Sequence, residues 1–299
     1  MDTNNRKKIR KVKIKTLLLI VILALAVLAG LFAYRHRGRI AYEWYLIEEK
    51  YGFGLDEVTV AKADGEALVH YSMEELQGDD RVVFDQSMML INIEYMLSES
   101  FAPLISEYKD TDVYMNDCMQ SAYSALSSAV LAKTEKKLYV SSHFRTADKQ
   151  ASLYEEMPDT ATIPGASEHQ SGLCVDVYVA YYAGDHFIRS DAGRFVARNA
   201  HKYGFIIRYP RYGEKVTGIR YEPWHVRYVG HPHADIIYNN RLTLEEYILG
   251  MQEGSWYTAN GYCFSRQNVT EEGGLYLPAE FKEAVISPDN TGSYIVTVK

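Results

Sequence analysis

The feature that most limits what this chain can become is TLLLIVILALAVLAGLFAY, residues 16–34, a stretch of 19 residues without a charge. As a helix it is long enough to cross a hydrocarbon layer of about 30 Å. Seven Lys/Arg and a single acid precede it within residues 1–15, and Arg35, Arg37 and Arg39 follow it. The excess of cations on the N-terminal side sets the expected topology. Residues 1–15 form a basic cytoplasmic tail, 16–34 a single-pass transmembrane helix in the cell membrane, and the rest of the chain is extracellular. Ala24, Ala26 and Ala33 would also suit a cleaved signal peptide. The apolar run exceeds the usual ~7–15-residue signal core, so it reads as a retained anchor.

With the cations gathered at the membrane, the body is strongly acidic. Of the formal net charge of -7, residues 40–299 carry -16. Such a body lacks the clustered cationic face that phosphate backbones require, which excludes nucleic acid as its partner. Cys118, Cys174 and Cys263 are widely spaced and form no CxxC. They define neither a disulfide framework nor a thiolate zinc site.

Residues 35–84 read as a stalk and N-terminal extension, with an aromatic-rich amphipathic stretch at 42–51. From Asp112 to about Lys133 there is no Gly or Pro. Val113, Met119, Tyr123, Leu126 and Val130 recur every three or four residues, as an amphipathic helix requires. KKLYVSS (136–142) predicts a strand, and Thr146 is placed to cap the helix after it. IPGASEHQSG (163–172) is a loop, followed by the strand LCVDVYVAYY. Ser190 caps a helix that Gly204 ends. Thr243 and Glu246 form a capping box. Beyond Gly254, short strands separated by glycine turns predict a small C-terminal β module, 254–299, attached to an α+β catalytic domain, 85–253.

Three clusters can carry chemistry. In SEHQSGLCVD, His169 and Asp176 have the residue types of a two-histidine, one-carboxylate metal site. Asp176 interrupts an apolar run, where an unpaired carboxylate would be costly to bury. Metal ligation, a buried Arg or backbone donors could each remove that cost. In YEPWHVRYVG, Glu222 and His225 could supply a base and a ligand. In a regular strand their odd spacing would put them on opposite faces, so a bend is needed to unite them. In SSHFRTADKQASLY, Arg145 could meet a carboxylate or a developing oxyanion. Taken singly, His169, the Glu222/His225 pair and Arg145 read more readily as ordinary surface or peripheral residues, whereas Asp176 is harder to dismiss.

In this order, S-x-F-R-x4-Q, PGxSEHQSGLxxDV, GFIIRYP and TGIxYEPWHVRYVGxPHA together resemble the VanY-type D,D-carboxypeptidases. That zinc D-alanyl-D-alanine peptidase family also includes VanX-like dipeptidases and L,D-carboxypeptidases. The resemblance spans roughly residues 85–250 and implies the Hedgehog/D,D-peptidase-like α+β fold. It also implies Zn2+ as cofactor, with His169, Asp176 and His225 as metal ligands and Glu222 as catalytic base. Arg145 becomes the transition-state stabiliser, with Gln150 and Ser167 in contact with substrate. The implied activity is hydrolysis of the terminal D-Ala-D-Ala bond of peptidoglycan pentapeptide stems, contributing to glycopeptide resistance. The rivals are an L,D-carboxypeptidase acting on tetrapeptides and a non-catalytic zinc-containing wall-binding module. His143 stands where the family usually has Gly, and could crowd the cleft or act as an extra polar contact. Cys174 stands where a small residue such as Ala is usual, two before Asp176 and so on the same strand face; it reads as a tolerated small side chain, with contact to the metal as the lesser alternative. Two patterns read as coincidence: the His231/His233 pair, and Ser106–Lys109, an SxxK without the partner motifs of serine penicillin-binding enzymes.

Overall fold

A computed structural model describes residues 3–63 and 67–299, with side chains from residue 13 onward. Two compact units result, Met1–Tyr51 and Gly52–Lys299. The first consists of helices α1 (Thr3–Arg35) and α2 (Arg37–Tyr51). Within α1, Lys13–Arg35 is long and apolar enough to cross a membrane, and none of it is buried inside the chain. The side chains of residues 1–12, most of the expected basic tail, lie outside the described residues.

The second unit begins with β1 (Ala61–Lys62), β2 (Leu68–Ser72), α3 (Met73–Gly78), β3 (Val82–Phe84), β4 (Ile105–Glu107) and β5 (Tyr114–Asn116). Next come α4 (Gln120–Thr134), β6 (Tyr139–Ser142), α5 (Ala147–Glu156), β7 (Cys174–Tyr178), α6 (Asp191–Asn199) and β8 (Phe205–Ile207). They are followed by α7 (Glu214–Thr217), β9 (His225–Tyr228), α8 (His233–Asn239) and α9 (Leu244–Gly250). The C-terminal strands are β10 (Trp256–Ala259), β11 (Tyr262–Gln267), β12 (Gly274–Pro278), β13 (Ala284–Pro288) and β14 (Tyr294–Val298).

The sheet that carries the site has the order β6-β7-β9-β8, every pair antiparallel. Alternation along the strands divides its faces. Val175, Val177 and Val226 join Met119, Tyr123, Leu126 and Val130 of the α4 region and Ala192 and Val196 of α6 in one buried cluster. Burying each such aliphatic side chain favours folding by about 1.5–3 kcal/mol. The opposite face, with Cys174 and Asp176 of β7, is left for polar work.

Several caps fall where the sequence expects them. Thr146 accepts from Lys149 N–H, Ser190 from Gly193 N–H, and Thr243 and Glu246 complete a capping box. After α6 the chain makes one 3-10 turn and leaves through Gly204 at φ +79°. The helix expected from Asp112 starts later. Residues 114–116 are extended and pair with β4, and Asn116 accepts from Cys118 N–H to cap a 3-10 turn that delays α4 to Gln120. An Asn side chain that satisfies a backbone donor locally competes with helix continuation.

The expected divisions at 84/85 and 253/254 cut through hydrogen-bonded sheets. β1, β10, β11, β14, β13 and β3 form one six-stranded sheet, and β2 pairs with β12. β1, β2 and β3 are therefore woven into the C-terminal strands. Phe264 and Ile295 of that sheet also share a core with Met88, Ile206, Ile237 and Ile248. Sequence patterning could not reveal this, because strand pairing over about 200 positions leaves no local signal.

Candidate active site and metal centre

The register of the site sheet sets the first contacts. Asp176 lies directly across from His225 on β9 and from Ser142 on β6. Asp176 Oδ1 is 3.0 Å from His225 Nδ1. His169 enters from the 3-10 turn Glu168–Ser171, just ahead of β7, and brings its Nε2 to 3.5 Å from Asp176 Oδ2. Gly172 closes that turn at φ +70°, and a Cβ there would fall 2.6 Å from Ile105 Cγ2, so only glycine lets the loop press this closely.

Glu222 reaches the cluster through the bend that the sequence required. His225 N–H donates to the Glu222 carbonyl at 3.1 Å, forming a turn around Pro223–Trp224. Glu222 Oε2 then lies 3.9 Å from His225 Nδ1. All four polar residues meet, His169, Asp176, Glu222 and His225, and so does Cys174. One donor atom from each of His169, Cys174 and His225 lies within 4.8 Å of the other two. Such a set can hold a divalent cation. Asp176 Oδ1 adds to that case, being buried without a hydrogen bond despite its proximity to His225.

The outward nitrogens of both imidazoles are held by fixed acceptors, which assigns their tautomers. His169 Nδ1 donates to the His143 carbonyl at 3.0 Å, leaving Nε2 facing Asp176. His225 Nε2 donates to Glu168 Oε2 at 3.3 Å, leaving Nδ1 facing Asp176 and Glu222. Glu168 is itself wholly buried. Its Oε1 accepts from Arg208 Nε at 2.7 Å and from an Arg227 Nη at 2.5 Å. Arg208 also forms a two-pronged pair with Glu245.

Burial opposes charge throughout this site, and the neighbours decide the outcome. Against burial, Arg227 and Arg208 hold the Glu168 carboxyl well below its ordinary range. Asp176 is likewise depressed, since His169 and His225 outweigh its burial. His169 resists its own burial through Cys174 and Asp176 and is pushed up to about 9. The Cys174 thiol is lowered despite complete burial, because both imidazoles lie against it. In Glu222 burial prevails over His225, and its carboxyl is raised, the direction that suits a general base.

Of these groups, Glu168, His169, Asp176, Glu222 and His225 line a cavity of about 210 Å³. Leu153, Met157, Ile219 and Trp224 give it apolar walls, and Arg145, Gln150 and Ser167 also line it. The Arg145 guanidinium donates to Gln150 Oε1 at 2.6 Å and to Ser142 Oγ at 2.9 Å. Gln150 is buried, and its amide N–H donates to the Thr162 carbonyl. Gln150 therefore orients Arg145. The Ser167 hydroxyl makes no capping bond. His143 turns away from the cavity, its Nδ1 accepting from Tyr114 N–H at 3.2 Å.

The two coincidental patterns are accounted for. His231 pairs with Asp235 at 2.9 Å, while His233 bonds to Tyr247 and Thr297 inside the core. The Ser106 hydroxyl bonds to Asp117, and Lys109 bonds to Ser124. Sequence reasoning missed Glu168, Arg208 and Arg227, while Cys174, placed by alternation on the face of Asp176, proves to lie beside both histidines. A signal for the arginines was present: each interrupts an apolar strand run, GFIIRYP and WHVRYVG, just as Asp176 does.

The family model for VanY, D-alanyl-D-alanine carboxypeptidase, matches residues 112–231, which include every site residue above except Glu245. A D-alanyl-D-alanine carboxypeptidase of Enterococcus faecium is 32% identical over 234 residues, 72% of this chain and 76% of that protein. The bifunctional D-Ala-D-Ala dipeptidase and carboxypeptidase VanXYC of Enterococcus gallinarum is 34% identical over 178 residues, 54% of this chain and 93% of that protein. The crystal structure of the D,D-dipeptidase VanXYg with a D-Ala-D-Ala phosphinate analogue superposes with a TM-score of 0.60 at 25% identity, covering 78% of this chain and 99% of that one. Fold and site thus define a cell-wall peptidase. The chain belongs to the VanY family of D-alanyl-D-alanine carboxypeptidases.

Proposed function

We propose that this protein is a zinc D,D-carboxypeptidase, anchored in the membrane by its N-terminal helix, that removes the terminal D-Ala from peptidoglycan pentapeptide stems outside the cell. The observation that carries this reading is the convergence of His169, Asp176, His225 and Glu222 on one cavity wall, with Asp176 Oδ1 buried and unbonded. Two imidazoles and a carboxylate suit zinc, and their remaining ring nitrogens are already held by His143 and Glu168. A bound zinc would supply Lewis acidity and acidify a water.

The chain's own residues perform the remaining tasks. Glu222, its carboxyl raised by burial, takes the proton of the attacking water and delivers it to the leaving D-Ala amine. Arg145, braced by Gln150 and Ser142, presents a fixed cationic fork to the developing oxyanion. The apolar walls accept the small methyl side chains of the substrate. In the Enterococcus gallinarum relative, dipeptidase and carboxypeptidase activities occur together, so chain-length preference varies within the family. Loss of the terminal D-Ala would remove a glycopeptide target and so favour resistance.

Metal content measured together with D-Ala release from pentapeptide and tetrapeptide substrates tests this reading. Stoichiometric zinc with chelator-reversible cleavage of the pentapeptide is expected. Cleavage of the tetrapeptide alone would point to an L,D-carboxypeptidase, and zinc without turnover would point to a wall-binding module.

A further inference from the structure

The chemistry proposed above leaves one member of the donor cluster unused. Cys174 is wholly buried and stands two residues before Asp176 on β7, so their side chains share one face of the strand. A cysteine that serves only as a small apolar filler belongs among aliphatic neighbours. Cys174 instead lies among two imidazoles, with donor atoms of all three within 4.8 Å of one another. Asp176 Oδ1, on the same face, is the buried oxygen without a hydrogen bond. Two ring nitrogens and a sulfur therefore lie close together, with the Asp176 carboxylate 3.0 Å from His225 Nδ1 and 3.5 Å from His169 Nε2. Each is a recognised zinc donor, at about 2.0–2.3 Å from the ion.

We infer that Cys174 donates its Sγ to the same metal ion as His169 and His225, alongside Asp176, giving this chain a two-nitrogen, one-sulfur, one-oxygen site. The inference rests on the reading of this cluster as a metal centre and adds a ligand to it. A thiolate moves the site's preference towards softer ions and away from magnesium or calcium. With four protein donors, the water that Glu222 activates would take a fifth position, an expansion open to zinc at catalytic sites.

The test is the absorption spectrum of the full-length chain in detergent, stripped of metal and loaded with Co2+. Visible d–d bands report an ion in the site. An intense near-ultraviolet sulfur-to-cobalt band reports a thiolate ligand. Both bands are expected in the parent protein. Cys174→Ala should lose the near-ultraviolet band and keep the visible ones, whereas Cys118→Ala and Cys263→Ala should keep both. If Cys174→Ala does not fold, Cys174→Ser gives the same readout. Visible bands without the near-ultraviolet band in the parent, or a near-ultraviolet band that survives loss of Cys174, would overturn the ligand assignment alone. A folded chain that takes up no cobalt would overturn the metal centre as well.

Discussion

Glu168 offers the sharpest test of how this site is held together. Its carboxylate is inaccessible to solvent, lies between Arg208 and Arg227, and receives the outer nitrogen of His225. Glu168→Gln keeps the shape and removes the charge. Arg208 would retain Glu245, and Arg227 would retain the Ser87 and Met89 carbonyls. The four-residue network of two arginines and two glutamates would nevertheless go from neutral to one uncompensated buried cation. Removing one partner from a buried pair typically costs about 3–5 kcal/mol. In a unit of this size that lowers the melting temperature by roughly 6–20 °C. Because Glu168 also fixes the His225 tautomer, zinc affinity should fall about 10–100-fold.

The sign with pH follows from the depressed Glu168 carboxyl. Its contribution is complete above the unfolded value of about 4.3 and is lost as pH falls below it, towards the lower folded value. Thermal scans followed by near-ultraviolet circular dichroism between pH 3 and 8, with zinc competition against a chromophoric chelator, measure both effects. A variant that melts within about 2 °C of the parent at pH 7, with unchanged zinc affinity, would refute this account of the network.

Other expectations concern the chemistry. Glu222→Gln should bind zinc as the parent does while D-Ala release falls by about 10²–10⁴; turnover at the parental rate would remove Glu222 from its role. Arg145→Lys should lower kcat by about 10²–10³ with little change in metal content, since one ammonium cannot replace the braced fork. In the metal-free chain His169 is raised to about 9. The stability it contributes is complete below its unfolded value of about 6.5 and is lost as pH rises through the folded value. Melting temperatures of the stripped protein should therefore fall across that interval while zinc affinity climbs, and a flat profile would contradict the assignment.

Much of the site was legible because its chemistry clashes with its surroundings in the sequence. An aspartate inside LCVDVYVAYY, and a glutamate and a histidine around a proline in YEPWHV, ask for an explanation on physical grounds. The same reasoning, applied to Arg208 and Arg227, would have exposed the ion network, since each is a cation in an apolar strand. Cys174 gave a weaker signal: alternation puts it on the face of Asp176, but only its neighbours across the sheet show it lying against both histidines. Gln150 shows another limit: its place in the motif gave no hint that it also braces Arg145 and reaches the Thr162 carbonyl.

By itself the sequence determined what depends on neighbours a few residues apart: the apolar span, the capped helices, the alternating strands and the residue types available to a metal. Tertiary structure alone decided which of those residues meet. The antiparallel register sets Asp176 against His225, a single turn swings Glu222 to the same side, and β1–β3 join the C-terminal strands into common sheets. Local patterns record which way a side chain faces, whereas pairing between distant strands depends on closing long loops against a shared core, and no short stretch of sequence records that choice.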